Sequence, residues 1–239
     1  MEIRILFDGE AVSKRLHIGW GLSILVNNRV LFDTGGKGPR LFHNIKLMGI
    51  NLHDIESIVI SHDHLDHTGG LQSVLQQMKK VIPVYICSGF SFETKEKIVS
   101  YGGDPVECKN FREISKDIYV TGEIPGIYKG NPMPEQVLVI KTVNYVSVIT
   151  GCAHPGILKI LEVVKKHFKE EELFVVMGGF HLLDEGKRVI EHIVKEFKTI
   201  GVRKVGATHC SGEKAKKLFA AAYDKNFIEV KAGQIHYLA

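Results

Sequence analysis

The segment "IVISHDHLDHTGGL", residues 58–71, governs how the rest of this chain is read. An apolar run suited to a buried strand gives way at Ser61 to three histidines and two aspartates within six residues, then to a glycine pair. His62 and His64 are two apart, so on an extended or turning backbone both imidazoles can point the same way. Asp66 and His67 follow at once, in a turn that Thr68, Gly69 and Gly70 allow. One short loop can therefore offer two imidazoles to one cation, and a carboxylate plus an imidazole to a neighbouring one. Nitrogen and carboxylate donors in this mixture suit Zn²⁺, with Fe or Mn as alternatives. Two such ions, roughly 3.5–4 Å apart, can share and activate a water and clamp a developing anion. A polar, capped loop ahead of a helix would account for one histidine, but not for H-x-H-x-D-H.

Outward from this loop the pattern is mixed. "EIRILFD", "GLSILV" and "RVLFDT" read as strands, the last two joined by a tight turn at Asn27-Asn28. "PRLFHNIKLMGI" has helical spacing, with Leu41, Ile45 and Met48 on one side. "GGLQSVLQQM" continues as a helix, "VIPVYIC" as a strand and "SFETKEKIVSYG" as a helix. From about Cys108 to Pro134 the pattern loosens, and "GIYKGNPMPEQ" reads as a loop. "QVLVIKTVNYVSVITG" then reads as a hairpin turning near Val143-Asn144, followed by alternating helices and strands. Strands thus predominate early and βα units cluster late. No linker divides the chain, so we expect one α/β domain over residues 1–239, with layered sheets and helices outside.

Composition narrows the function classes. Hydrophobic residues make up 44% and charged residues 24% of the 239, enough for a substantial core. The net charge of +4 is dispersed, with no basic stripe interleaved with aromatics, so a nucleic-acid partner is not expected. No apolar stretch approaches bilayer length, and the N-terminus opens directly into strand-like alternation. The four cysteines, Cys87, Cys108, Cys152 and Cys210, contain no C-x-x-C pair. A cytoplasmic protein with free thiols and no membrane partner is expected. The oligomeric state is left open.

One loop cannot complete two coordination shells, so other strand ends must contribute. "VSVITGCAHPG" offers Cys152 and His154, "LFVVMGGFHLL" offers His181, and "KVGATHCSG" offers His209 and Cys210. Strand ends on one edge of a sheet converge on a common crevice. His17, His43, His53, His167, His192 and His236 fall on helices, in connections or near the terminus, where surface or packing roles are expected.

H-x-H-x-D-H followed by Gly-Gly, and preceded by "LFDTGG", resembles the metallo-β-lactamase superfamily, along essentially the whole chain. The resemblance implies an αββα sandwich: mixed sheets, helices on the outer faces, and a one- or two-metal site at the edge of the sheets. It implies that Asp33 orients the histidine loop, in keeping with the need of a metal-bound imidazole for a partner on its other nitrogen. Read alone, Asp33 is a turn former before Thr-Gly-Gly. "THCSG" is similar to the superfamily's last histidine motif, which makes His209 a ligand, and His154 becomes the third imidazole beside His62 and His64. The chain also departs from the common pattern. No histidine occurs between His67 and His154, and Cys152 stands where many relatives place a bridging aspartate. A bridging, flanking or merely buried Cys152 all stay open, as do ligand, oxyanion-binding and proton-donating roles for His181.

"GCAHPGI", "GGFHLL" and "THCSG" together resemble a narrower branch, the 7,8-dihydropterin-6-methyl-4-(β-D-ribofuranosyl)-aminobenzene-5′-phosphate synthases. That branch implies two divalent metal ions and transfer of a pterin methyl group to a ribosylated aniline with loss of diphosphate, a step of methanopterin biosynthesis. The alternative is a metal-dependent hydrolase of a phosphoester, ester or lactone. Both need a clamp for developing negative charge. "CSGEKAKK" fits an anionic, phosphorylated small molecule: Ser211 and Gly212 lie where backbone N–H groups of the next helix can seat a phosphate. Ordinary N-capping by Ser211 explains the same residues. A nuclease or non-catalytic binding module would bring a recognition arm or lost ligands. A diiron oxidoreductase would bring Glu at position 64 and a flavin domain. Neither is expected here.

Overall fold

β1 (Glu2–Phe7) runs antiparallel to β2 (Ser23–Val26), which turns back through Asn27 and Asn28 into β3 (Val30–Phe32). Both asparagines hold positive φ, 49° and 57°, the mirror-image turn whose twist matches a hairpin. From β3 onward the connections are helical. α1 (Gly38–Leu47) leads to β4 (Ser57–Val59). The short α2 (Leu65–Thr68) and α3 (Leu71–Met78) lead to β5 (Pro83–Ile86), and α4 (Phe92–Ser100) leads to β6 (Asp104–Glu107). β3 to β6 are therefore parallel neighbours, as such crossovers require. A closing strand, Ile235–Tyr237, pairs with β1 and makes a seven-stranded mixed sheet. The computed structural model describes residues 1–238. They gather into two compact units, of which this sheet belongs to the first, Met1–Lys109 with the chain from Lys231 on.

The second unit is Asn110–Val230. It opens with β7 (Arg112–Ser115) and β8 (Ile118–Val120), then a small hairpin, β9 (Ile127–Tyr128) and β10 (Asn131–Pro132). Sequence reading leaves residues 127–132 as loop, because two-residue strands are too short for alternation to register. β11 (Leu138–Lys141) and β12 (Tyr145–Thr150) form the hairpin expected around Val143-Asn144. α5 (Ile157–His167), β13 (Glu172–Gly179), α6 (Lys187–Ile200), β14 (Lys204–Thr208) and α7 (Gly212–Tyr223) follow, with β12, β13 and β14 parallel. The six-stranded sheet runs β14-β13-β12-β11-β8-β7. Both sheets are mixed and both units carry helices, so the chain is α/β, with βα units in each unit rather than only late in the chain.

The cores explain the spacing of the helices. In the first unit Leu25, Leu31, Ile58 and Val84 pack with Leu41 and Ile45 of α1 and with Leu71, Val74 and Leu75 of α3. In the second, Val139, Val148, Val176 and Val205 pack with Ile160 and Val164 of α5 and with Ile190 and Phe197 of α6. Each such side chain contributes about 1.5–3 kcal/mol on burial. α6 stops at Gly201, whose φ of 89° lets the Val202 N–H return to the Phe197 carbonyl at 3.0 Å. Phe219 of α7 is fully buried, with its ring centroid 5.1 Å from that of Phe197, 5.5 Å from Phe180 and 6.3 Å from Tyr223. Replacing Phe219 with Ala is expected to destabilise the chain by about 3–5 kcal/mol, read as a lower urea midpoint at unchanged slope.

Candidate metal centre

β4 delivers the chain through Ile60 and Ser61 into the histidine loop. Asp33, at the end of β3, is fully buried and accepts three hydrogen bonds there. Its Oδ1 takes the Ser61 N–H at 2.7 Å, and its Oδ2 takes the Ser61 hydroxyl at 2.8 Å and the His67 Nδ1–H at 2.6 Å. The Ser61 proton is thereby committed, so Ser61 Oγ accepts from His62 Nδ1, 2.9 Å away. With Nδ1 of each imidazole engaged, Nε2 is the nitrogen that both rings turn to the loop interior. His62 Nε2 lies 3.1 Å from His64 Nδ1, and His67 Nε2 lies 3.5 Å from Asp66 Oδ2. Two donors on one tetrahedral zinc ion, at Zn–N or Zn–O near 2.0–2.2 Å, are about 3.3–3.6 Å apart. Of the loop's two donor pairs, His67 and Asp66 fall within that range and His62 and His64 lie just short of it, at a separation a small shift would match. Burial resists charging His67, yet the Asp33 carboxylate and then Asp66 push its pKa up to about 10, so positive charge is favoured at this point. Asp63 is committed elsewhere, accepting from the Ser91 N–H at 2.9 Å and the Thr94 hydroxyl at 2.8 Å.

The second unit carries its donors on three strand ends. The Cys152 sulfur and one ring nitrogen each of His154 and His181 lie within 4.8 Å of one another. Cys152 is also within 4.8 Å of a His209 nitrogen, so its sulfur is common to two donor sets. The His154 and His181 ring centroids are 4.5 Å apart, and Tyr128 of β9 stands edge-on to both, at 5.1 and 5.8 Å. Cys210 lies buried behind them, its thiol donating to the Cys152 carbonyl at 3.5 Å. Burial resists ionising Cys210, but hydrogen bonds with Cys152 and His181 hold it well below the usual thiol range, and the Cys210 bond raises His181. Two glycines make this convergence possible. A Cβ on Gly179 would sit 2.3 Å from the Gly151 carbonyl oxygen and 2.6 Å from Cys210 Sγ, and Gly178 has φ of 121°.

The remaining expected residues take definite places. Ser211 is fully buried: its hydroxyl accepts the Phe180 N–H at 3.0 Å, contacts the Gly178 carbonyl at 3.4 Å, and makes no side-chain cap on α7. Gly212, at φ 75°, is packed against Leu183. An anion seat at this helix start would therefore rest on backbone N–H groups. Asp33, Ala153, His181 and His209 hold left-handed φ values of 55°, 64°, 53° and 50°. Non-glycine residues rarely do so, and such strain concentrates at functional sites. Sequence reasoning does not reach Ser61, Tyr128 or Glu135. Ser61 has a usable signal, its position between strand and motif. Glu135 has none, yet it is fully buried and accepts the N–H groups of Cys152, Ala153 and His154. All four cysteines are buried, and among the described residues none forms a disulfide. Among the described residues no helix is long and apolar enough to cross a membrane.

Imidazoles, carboxylates and thiols at these spacings could hold a metal ion, and comparison with known proteins gives the class. The chain belongs to the metallo-β-lactamase superfamily, whose family model matches residues 21–190. It is 30% identical to the 7,8-dihydropterin-6-methyl-4-(β-D-ribofuranosyl)-aminobenzene-5′-phosphate synthase of Methanocaldococcus jannaschii, over 90% of this chain and 88% of that one. Among solved structures it is similar to Tm1679, a metal-dependent hydrolase of the β-lactamase superfamily, with 29% identity, a TM-score of 0.83, and 100% and 99% of the two chains covered. Human tRNase Z, short form, shares the fold at 14% identity and a TM-score of 0.65, with both chains fully covered.

Asp33→Asn would turn an amide N–H₂ toward the Ser61 or His67 donors, all three residues being fully buried. The metal-free chain is expected to lose about 3 kcal/mol, measured by denaturant unfolding. An unchanged midpoint would mean that Asp33 does not organise the loop.

Proposed function

We propose that this chain is a dinuclear metal-dependent enzyme of a phosphorylated small molecule, and that it joins a dihydropterin methyl carbon to a ribosylated aminobenzene phosphate. The observation that carries this reading is the 30% identity to the synthase over 90% of this chain. In it His62, His64, Asp66 and His67 of the first unit, with His154 and His209 of the second, ligate two divalent ions. Zinc suits that donor set, with Fe or Mn as alternatives. Cys152, whose sulfur is common to two donor sets, would add a thiolate donor to the ions or stay a buried thiol beside them. When bound, the ions supply a clamp for the diphosphate oxygens as negative charge grows on the leaving group. The C–O bond to diphosphate breaks as the arylamine nitrogen bonds to the methyl carbon, and that nitrogen gives up a proton. His181, exposed and hydrogen-bonded to Cys210, either adds a metal donor or carries that proton. Backbone N–H groups around Ser211 and Gly212 would hold a substrate phosphate. The substrate is then a soluble anion, met in the cytoplasm, with no nucleic acid or membrane involved.

A second reading is favoured by one observation, the 29% identity and TM-score of 0.83 with a metal-dependent hydrolase along the full chain. There an activated water replaces the arylamine, and the bond cleaved is a phosphoester, ester or lactone.

The two readings separate in one assay. Metal-loaded protein given dihydropterin diphosphate and the ribosylaminobenzene phosphate is expected to release diphosphate and the coupled product. His62→Ala and His64→Ala should each lower that turnover by more than about 100-fold, beyond the range for groups that only orient metal ligands. Diphosphate or phosphate release without coupled product would remove the synthase reading in favour of the hydrolase. Full turnover after exhaustive chelation would remove both.

A further inference from the structure

Glu135 is a charged side chain with no exposure to solvent, and the reactions above give it no part. Its Oε1 accepts the Cys152 and Ala153 N–H groups, both at 2.9 Å, and its Oε2 accepts the His154 N–H at 2.8 Å. Three consecutive amides converging on one anion form a nest, here filled by the chain's own carboxylate. The local backbone has to be bent for this. Ala153 stands at φ 64°, a conformation that L-residues adopt singly and under strain. Charge-assisted hydrogen bonds are shorter and stronger than neutral ones, and three of them oppose the relaxation of that turn.

The arm that carries the carboxylate is itself held. Glu135 and Ile124 exchange both backbone hydrogen bonds, at 2.9 and 3.0 Å. Further along the same arm, Gly126 passes so close to the turn that a Cβ there would meet Pro155 N at 2.9 Å and the His154 carbonyl carbon at 3.0 Å. Side chain and backbone of residues 124–135 therefore both grip the segment bearing Cys152 and His154. The arrangement parallels Asp33, a buried carboxylate that aims donors from the loop after β4.

We propose that Glu135 is a positioning residue, which presents Cys152 and His154 to a divalent cation by anchoring their backbone amides. The proposal rests on the reading that these two side chains ligate metal, and its test separates the two ideas. Glu135→Gln keeps the shape but turns an N–H₂ toward amide donors. Glu135→Asp keeps the charge and withdraws it by one methylene.

Amide hydrogen exchange of the metal-free protein measures the anchor alone. Glu135→Gln is expected to speed exchange at Cys152, Ala153 and His154 by about tenfold or more, with little change elsewhere in residues 110–230. Cobalt(II) titration followed by its visible absorption measures presentation. Affinity should fall by about 10–100-fold in Glu135→Gln, the range for groups that orient metal ligands, and recover in part in Glu135→Asp. Unchanged exchange and unchanged cobalt affinity would overturn the proposal. So would exchange that rises evenly through the unit while cobalt affinity stays that of wild type, since that is the signature of packing alone. If Glu135→Gln does not fold, Glu135→Asp decides, and its exchange must rise selectively at the same three amides. Should wild-type protein take up no cobalt, the metal reading and with it the presentation role fall, while the exchange result still reports whether Glu135 anchors the turn.

Discussion

A carboxylate sealed from water has to be met by hydrogen-bond donors, and in the first unit the donors that meet Asp33 are those that aim the histidine loop. Two of its three bonds come from Ser61 and the third from His67 Nδ1. Those bonds decide which nitrogen of each imidazole is engaged and which is turned to the loop interior. His62 is oriented indirectly, through Ser61. A loop of five polar side chains would otherwise sample many rotamers. Anchored in this way, it holds His62 and His64 in one pair and Asp66 and His67 in another. The same negative charge favours positive charge on His67 despite its burial, which is the electrostatic condition a cation site needs.

The second unit works by backbone geometry as much as by side-chain charge. Its donors follow the C-terminal ends of β12, β13 and β14, where parallel strands release the chain toward one edge. Ala153, His181 and His209 each sit in the left-handed region at those exits. Gly178 and Gly179 let β13 end close against Gly151, Cys152 and Cys210, where any side chain would collide. The consequence is a group of soft and borderline donors around Cys152, with a low-lying Cys210 thiol beside a raised His181.

Membership of the superfamily is compatible with both proposed directions of chemistry. A clamp on developing negative charge serves loss of diphosphate and attack by water equally well. Relatives at 29% and 30% identity carry a hydrolase and a synthase name respectively. In the two proposed readings the difference would lie in the nucleophile, an arylamine or water, and not in the metal donors.

Local pattern was legible wherever physics acts within a few residues. H-x-H-x-D-H declares itself because two-residue spacing and an adjacent Asp-His pair suffice to bring donors together. Asn27-Asn28 shows because its turn needs positive φ, and α1 shows because Leu41 and Ile45 share one helical face. The two-residue strands β9 and β10 were not legible, being too short to carry a period, and neither was the hydroxyl of Ser211, drawn inward to Phe180 and Gly178. Glu135 shows the limit most clearly. It lies 17 to 19 residues from the amides it binds, among glutamates that look the same in the sequence. By itself, then, the sequence determined the α/β class, the histidine loop and the strand ends with suitable donors, since periodicity and spacing are local. Only the tertiary structure decided which carboxylate holds which turn, and which thiol meets which imidazole. Burial is a property of the folded chain, and it is burial that forces a charged group to choose its partners.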